Sequence, residues 1–242
     1  MKHSLVAVGG GLLLAGTAIA GELYDPDYHP TVDNPVWQMG EGPQVMIDEA
    51  HNNYHTCAGR YYVLCGLLEE DGFVVESNEQ AIDADVLDDV RVLVIANALN
   101  VKNVTDDENW KTPILPAFKP AEVDAIVDWV HAGGSLLLIT DHMPFPGAVA
   151  DLAYRFGLVW QNAFAFSADF KFASPKGDPN MINFRPTAGP SGGIAHPHPV
   201  FEGRGPKEAI PFATSFTGSA FRTKSGTDIV PLFELSAGTI VL

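Results

Sequence analysis

The 242-residue chain is predicted to be an α/β protein, a three-layer α/β/α sandwich around a mostly parallel sheet. Three observations predict it. Between residues 44 and 160, strand-like runs alternate with segments of helical period. The runs Gln44–Ile47, Arg91–Ala96 and Ser135–Ile139 are short and apolar, as strands buried on both faces are. Hydrophobic residues make up 46% of the chain, enough for a sizeable core and too many for a disordered segment.

The first element is a leader. Lys2 and His3 precede an apolar run from Leu5 to Ala20 that ends Ala18-Ile19-Ala20, the pattern of a cleaved signal peptide over residues 1–20. With four glycines, the run is shorter than the ~20 residues of a spanning helix. The expectation is therefore a secreted or periplasmic protein with no stable membrane span after cleavage. Cleavage leaves 13 cations against 30 acids, so the charge goes from −16 to −17. That acidity argues against nucleic acid as a partner. Residues 21–42, broken by Pro26, Pro30 and Pro35, are an extended leader to a single domain over 43–242.

Within that domain the first strand ends at Asp48 and enters the loop Glu49–Thr56. A helix is expected over Gly59–Glu70, with Tyr61, Leu64, Cys65 and Leu68 on one face. That spacing sets Cys57 and Cys65 roughly 12 Å apart along an axis, beyond the about 7 Å a disulfide spans, and predicts two free thiols. A second strand follows at Phe73–Val75, then a short helix at Ala84–Asp89 and a third strand ending at Asn97. Ala98–Lys119 is a long loop, of the size that forms lids and insertions.

Pro120 starts a helix to His131 whose apolar face carries Val123, Ile126, Val127 and Val130. Gly133 and Gly134 close it, and strand Ser135–Ile139 delivers Thr140, Asp141 and His142 to a Pro-rich turn. A helix at Ala148–Phe156 and a fifth strand at Leu158–Trp160 complete the alternation. The pattern weakens after Asn162, where Phe164, Phe166, Phe170 and Phe172 alternate. Strands return at Pro211–Phe216 and Ile229–Leu235, and the chain stops within an apolar strand begun at Gly238, as a truncated domain or a tucked edge strand would.

Parallel topology puts the carboxyl ends of the strands, where ligands bind in open α/β sheets, on one edge. Asp141, His142, Asp48 and His51 are the candidate catalytic residues there, and Asn52, Asn97 and His55 candidate ligand-binding ones; His198, a further ligand-binding candidate, comes from a late loop whose position the sequence does not set. Each has a structural alternative: Asp48 bonding loop amides, Asn52 shaping a turn, His198-Pro199 stiffening one. No metal ligands are assigned and no cofactor is expected. A divalent ion is the minor option, because no spacing matches a metal signature. No Gly-x-Ser-x-Gly elbow and no phosphate-cradling loop occur. Asn103-Val104-Thr105 fits a glycosylation sequon.

The segments Val45-Met46-Ile47-Asp48-Glu49-Ala50-His51-Asn52, Leu93–Ala98 and Trp129–Gly147 together resemble a group within the class I glutamine amidotransferase-like superfamily, near trehalose-utilisation-type, gliding-motility and intraflagellar-transport domains. His198-Pro199-Val200 with Gly203 is similar to a turn of that group. The resemblance implies a flavodoxin-like sandwich. Its amidotransferases carry a cysteine after a central strand, where this chain has Asp141-His142, so thiolate-dependent glutamine hydrolysis is not expected. Three functions fit: a domain recognising a small polar ligand such as a carbohydrate, a hydrolase whose Asp and His activate water, or a module that binds a cell-envelope protein.

Overall fold

The computed structural model describes residues 25–104, 112–165, 181–186, 193–216, 218–236 and 239–240. Expectations for the signal peptide, for Thr105 of the sequon and for Phe166, Phe170 and Phe172 fall outside these residues.

A parallel four-stranded sheet organises the first half of the chain. Its strands are β1 (Gln44–Asp48), β2 (Val74–Asn78), β3 (Val92–Ala96) and β4 (Ser135–Ile139), in the order β2-β1-β3-β4. Strand side chains alternate between faces, which makes two cores. Val45, Ile47 and Val94 pack with Cys65 under helix α1 (Tyr62–Glu70). Met46, Leu93 and Ile95 face the other way, against Val123, Ile126 and Val127 of α2 (Pro120–His131). Burying each such aliphatic side chain is worth about 1.5–3 kcal/mol. Short helices α3 (Phe145–Ala148) and α4 (Ala150–Arg155) follow β4, and Leu152 joins the α2 core. This is the expected three-layer α/β/α arrangement.

The join of α2 to β4 needs both of its glycines. Gly133 has φ +109°, a region L side chains rarely enter. A Cβ on Gly134 would stand 2.2 Å from the Trp129 indole, so only glycine lets the chain pass that ring.

The later strands are β5 (Leu158–Trp160), β6 (Met181–Arg185), β7 (Gly193–Ala195), β8 (Ala213–Phe216), β9 (Phe221–Thr223), β10 (Phe233–Ser236) and β11 (Thr239–Ile240). They form a second sheet in the order β5-β9-β11-β10-β7-β6-β8, antiparallel apart from the β6–β7 pair. The strand expected at Leu158–Trp160 exists, but it pairs antiparallel with β9 and belongs to this second sheet. Local periodicity identifies a strand without naming its partner. Among the described residues no helix is long and apolar enough to cross a membrane.

Two expectations are corrected. Ala84–Asp89 is a series of turns, although Leu87 is buried. Cys57 and Cys65 are not free thiols but a disulfide, with Cα atoms 5.7 Å apart. The helix begins at Tyr62 rather than Gly59, and residues 57–61 wind in turns that bring Cys57 back over the first helical turn. A helical rise from residue 57 does not apply.

This bridge closes a loop of about eight residues, for which chain entropy gives about 2.5 kcal/mol. Reduction, or the Cys57→Ser/Cys65→Ser variant, is expected to lower Tm by about 5–10 °C in a calorimetric melt. An unchanged Tm would show that the bridge carries no stability.

Candidate functional site

The carboxyl edge of the parallel sheet holds two layers of polar side chains. The inner layer is buried. Asp48, at the end of β1, is fully enclosed and accepts from the His51 ring at 2.8 Å, the Asn53 amide at 3.0 Å and the Ala50 N–H at 3.4 Å. His51 follows three residues later, its ring 4.1 Å from that of Phe118. Its Nδ1 faces Asp48 and its Nε2 lies 3.0 Å from Glu122 Oε1. Carboxylates accept, so a ring bonded to both at once donates from both nitrogens and is an imidazolium.

Burial pushes the His51 pKa down, but the bonds and charges of Asp48 and Glu122 outweigh it and raise the ring above its ordinary value. Burial likewise pushes the Glu122 carboxyl up. The Lys119 N–H at 2.9 Å, His51 and the Ile82 N–H at 3.1 Å overcome that and hold it below the usual carboxylate range. Glu122 is the third residue of α2 and bonds back to the N-terminal cap, a position where a carboxylate also meets the helix dipole favourably. A cleft of about 280 Å³ lies against this trio, lined by His51, Asn100, Phe118, Lys119 and Glu122 among others.

The outer layer is half-exposed. Asn97 follows β3 with φ +50°, a left-handed conformation that asparagine tolerates better than most residues. It is buried and joins three loops. Its N–H donates to Ile139 O at 3.0 Å, and its carbonyl accepts from the Tyr54 N–H at 3.1 Å. Its side-chain oxygen accepts from the Asp141 N–H at 2.7 Å, and its amide nitrogen lies 3.1 Å from His55 Nδ1. Asn52, with φ +49°, donates to the Leu99 carbonyl at 3.1 Å and shapes the same crossing of loops.

His142 donates from Nδ1 to the Met143 carbonyl at 2.7 Å. In the neutral ring Nε2 is then the acceptor nitrogen, 3.7 Å from Asp141 Oδ2. Aromatic rings flank His142: Phe164 stacks on it at 4.1 Å and Phe145 lies 6.2 Å from it, with Tyr54 5.9 Å from Phe145. Tyr54 also carries the Arg60 guanidinium 3.6 Å over its ring.

The structure thus brings together Asp48 and His51 in the inner layer, and His55, Asn97, Asp141 and His142 in the outer, with Asn52 at their loops. His198 is elsewhere. It caps the short turn Pro199–Phe201, accepting from the Val200 N–H at 3.2 Å, and lines a cavity of about 200 Å³ in the second sheet. No contact between His198 and the two layers is found among the described residues. Glu122, Asn53 and the aromatic ring were missed from sequence. The signal for Glu122 was present, since proline at the first helical position with glutamate two residues on reads as a cap. Its reach to His51, 71 residues earlier in the chain, has no local signal. Among the described residues no group of three or more His, Cys, Asp or Glu is spaced to hold a metal ion.

No family model and no curated protein matches the chain. Solved structures do. The chain is similar to the mmIFT52 N-terminal domain, at 12% identity over 81% of this chain and 74% of that one, with a TM-score of 0.56. It also aligns with a ThuA-like protein from Bacteroides uniformis, at 14% identity over 88% and 72%, with a TM-score of 0.45. The name of the first falls among the groups that the sequence motifs resemble. At such identity the first likeness establishes the α/β fold.

The pKa shifts give a signed expectation. The raised His51 pKa contributes stability that is complete below its unfolded value of about 6.5 and is lost as pH rises through the folded value. The lowered Glu122 pKa contributes stability that is complete above about 4.5 and is lost as pH falls through the folded value. The denaturation free energy is therefore expected to be greatest near pH 5–6 and to decline above pH 7 as His51 loses its proton. Proton NMR should show the His51 ring titrating above its ordinary value. If His51 titrates at or below its ordinary value, the imidazolium assignment is wrong.

Proposed function

We propose that this chain is a secreted or periplasmic domain of the class I glutamine amidotransferase-like type that recognises a small polar ligand, of carbohydrate character, at the carboxyl edge of its parallel sheet. One observation carries the reading: the buried Asn97 side chain holds the Asp141 N–H, the Met143 carbonyl holds the His142 ring, and Phe164 and Phe145 flank that ring, with Tyr54 beside Phe145. Ligand sites combine apolar walls with a few fixed polar groups. A sugar meets both needs, since its hydroxyls bond to a carboxylate and an imidazole while its C–H face lies on an aromatic ring. His55 and Asn97 extend the polar side.

In this reading Asp48 and His51 are positioning residues. The His51 ring nitrogens are engaged by carboxylates within the buried layer, which holds the loops that carry the outer one. Both cysteines of the chain are joined in the disulfide, so neither offers the thiolate that a glutamine amidotransferase uses.

A second reading, water activation by a hydrolase, is favoured by the His142 tautomer. With Nδ1 donating to Met143 O, Nε2 is the basic nitrogen, and it stands on the Asp141 side of the ring.

The test is a thermal-shift screen of the chain against mono- and disaccharides, small amides and divalent metals, repeated on Asp141→Asn/His142→Ala. A ligand at a hundred times its Kd stabilises the folded state by about 2.7 kcal/mol. A saccharide shift present in the parent and lost in a variant that melts normally supports the site. A saccharide shift that survives in the variant overturns it. No shift with any saccharide, together with recovery of a bound envelope protein, favours the interaction module. Turnover of an amide or glycoside that disappears with His142 favours the hydrolase.

A further inference from the structure

Strand β4 reads as a central strand but lies at an edge. All but the first of its residues are leucine or isoleucine, yet among the described residues it pairs with β3 alone and ends the four-stranded sheet. Leu136 and Leu138 pack toward the α2 core. Leu137 points to the opposite face and is 42% exposed. Native proteins usually blunt an edge with charge, proline or a bulge. This one carries no such device.

Two hydrogen bonds set the orientation of its backbone. The Ser135 N–H donates to Arg91 O at 3.1 Å, and Ile139 O accepts from the Asn97 N–H at 3.0 Å. In a parallel ladder alternate residues direct both backbone groups to the same neighbour. Ser135, Leu137 and Ile139 therefore face β3. Leu136 and Leu138 turn their N–H and C=O groups the other way, as Thr140 does. The carbonyl of Thr140 meets the Ser219 hydroxyl at 2.8 Å, and Ser219 in turn accepts from the Trp160 indole N–H at 2.7 Å.

Beyond that edge runs a groove of about 410 Å³. One wall is β4 from Leu136 to Ile139, continued by Thr140 just past its end. The other is the face of the β5–β9 pair, with Leu158, Trp160 and Phe221, and Phe156 also lines it. The Thr140–Ser219–Trp160 bonds close one end. The groove thus sets a strand edge with outward peptide groups against an apolar aromatic wall. A small apolar molecule would fill the volume but leave the peptide groups without partners. An extended peptide satisfies both, its backbone bonding to Leu136 and Leu138 and its alternate side chains covering Leu158, Trp160 and Phe221. At about 3.3 Å per residue, five residues span β4. The net charge of −16 attracts cationic flanks.

We propose that this groove binds an extended apolar peptide segment with basic flanks, added as a fifth strand beside β4.

The probe is a fluorescein-labelled peptide of alternating valine and threonine with lysines at both ends, titrated with the full chain by fluorescence polarisation. The expected result is saturable binding that weakens with salt. N-methylation of alternate peptide nitrogens should cost at least about tenfold in affinity, because the ladder bonds to β4 are lost. Leu137→Arg should weaken binding of the unmodified peptide about as much, while its melt stays near that of the parent because the side chain is half-exposed. Equal binding of the N-methylated peptide would overturn strand addition and leave an apolar small-molecule groove. No binding, or a concentration-dependent dimer abolished by Leu137→Arg, would overturn the peptide as occupant.

Discussion

A cationic imidazole held between two buried carboxylates is the constraint on which the upper half of this molecule depends. Asp48 comes from the end of β1 and Glu122 from the first turn of α2, and His51 joins them through both ring nitrogens. Such a group is stable only as a set. Removing one member of a buried ion pair typically costs 3–5 kcal/mol, because the other is left charged without its partner. The set therefore holds the loop after β1 to the helix that follows the long loop after β3. Glu122 extends the tie to the turn after β2 through the Ile82 N–H.

The outer layer is built on that frame. Asn97 joins the loops after β1, β3 and β4 with main-chain and side-chain bonds alike, and its left-handed backbone lets one residue face all three. The Asp141 N–H is fixed by the buried Asn97 amide and the His142 ring by the Met143 carbonyl, and the carboxylate and the imidazole so placed stand 3.7 Å apart. The disulfide holds the same β1–α1 loop at its far end, and the Cys57 N–H is tied to Glu49 at 2.7 Å. A loop pinned this closely suits a pre-formed ligand edge.

Much of this was legible in the sequence, for physical reasons. The α2 span was read to the residue because proline opens it and two glycines end it. Strands β1, β3 and β4 were read because strands buried on both faces are continuous apolar runs, while only the apolar start of β2, whose later residues are polar, was read. Convergence of residues 48–55, 97 and 141–142 followed from parallel topology alone. What failed was tertiary. Cys57 and Cys65 were placed on one helical rise, whereas the turns at 57–61 fold the chain back. The position of His198 had no local signal, and the second sheet carries it to another cavity. Glu122 escaped notice because its partner is in a distant loop, and β4 was read as a buried strand although among the described residues only one side of it is paired.

Amide hydrogen exchange on the parent and on Glu122→Gln tests most directly whether the buried trio holds the edge. Glutamine keeps the shape, but its single amide oxygen can replace only one of the two carboxylate oxygens that accept from Lys119 and Ile82, and it removes one of the two charges that hold His51. The account predicts that the amides of residues 50–56 and 97–99 lose protection together, while those in β1 and β3 keep theirs. Unchanged protection in those loops, or a uniform loss across the sheet, would contradict it.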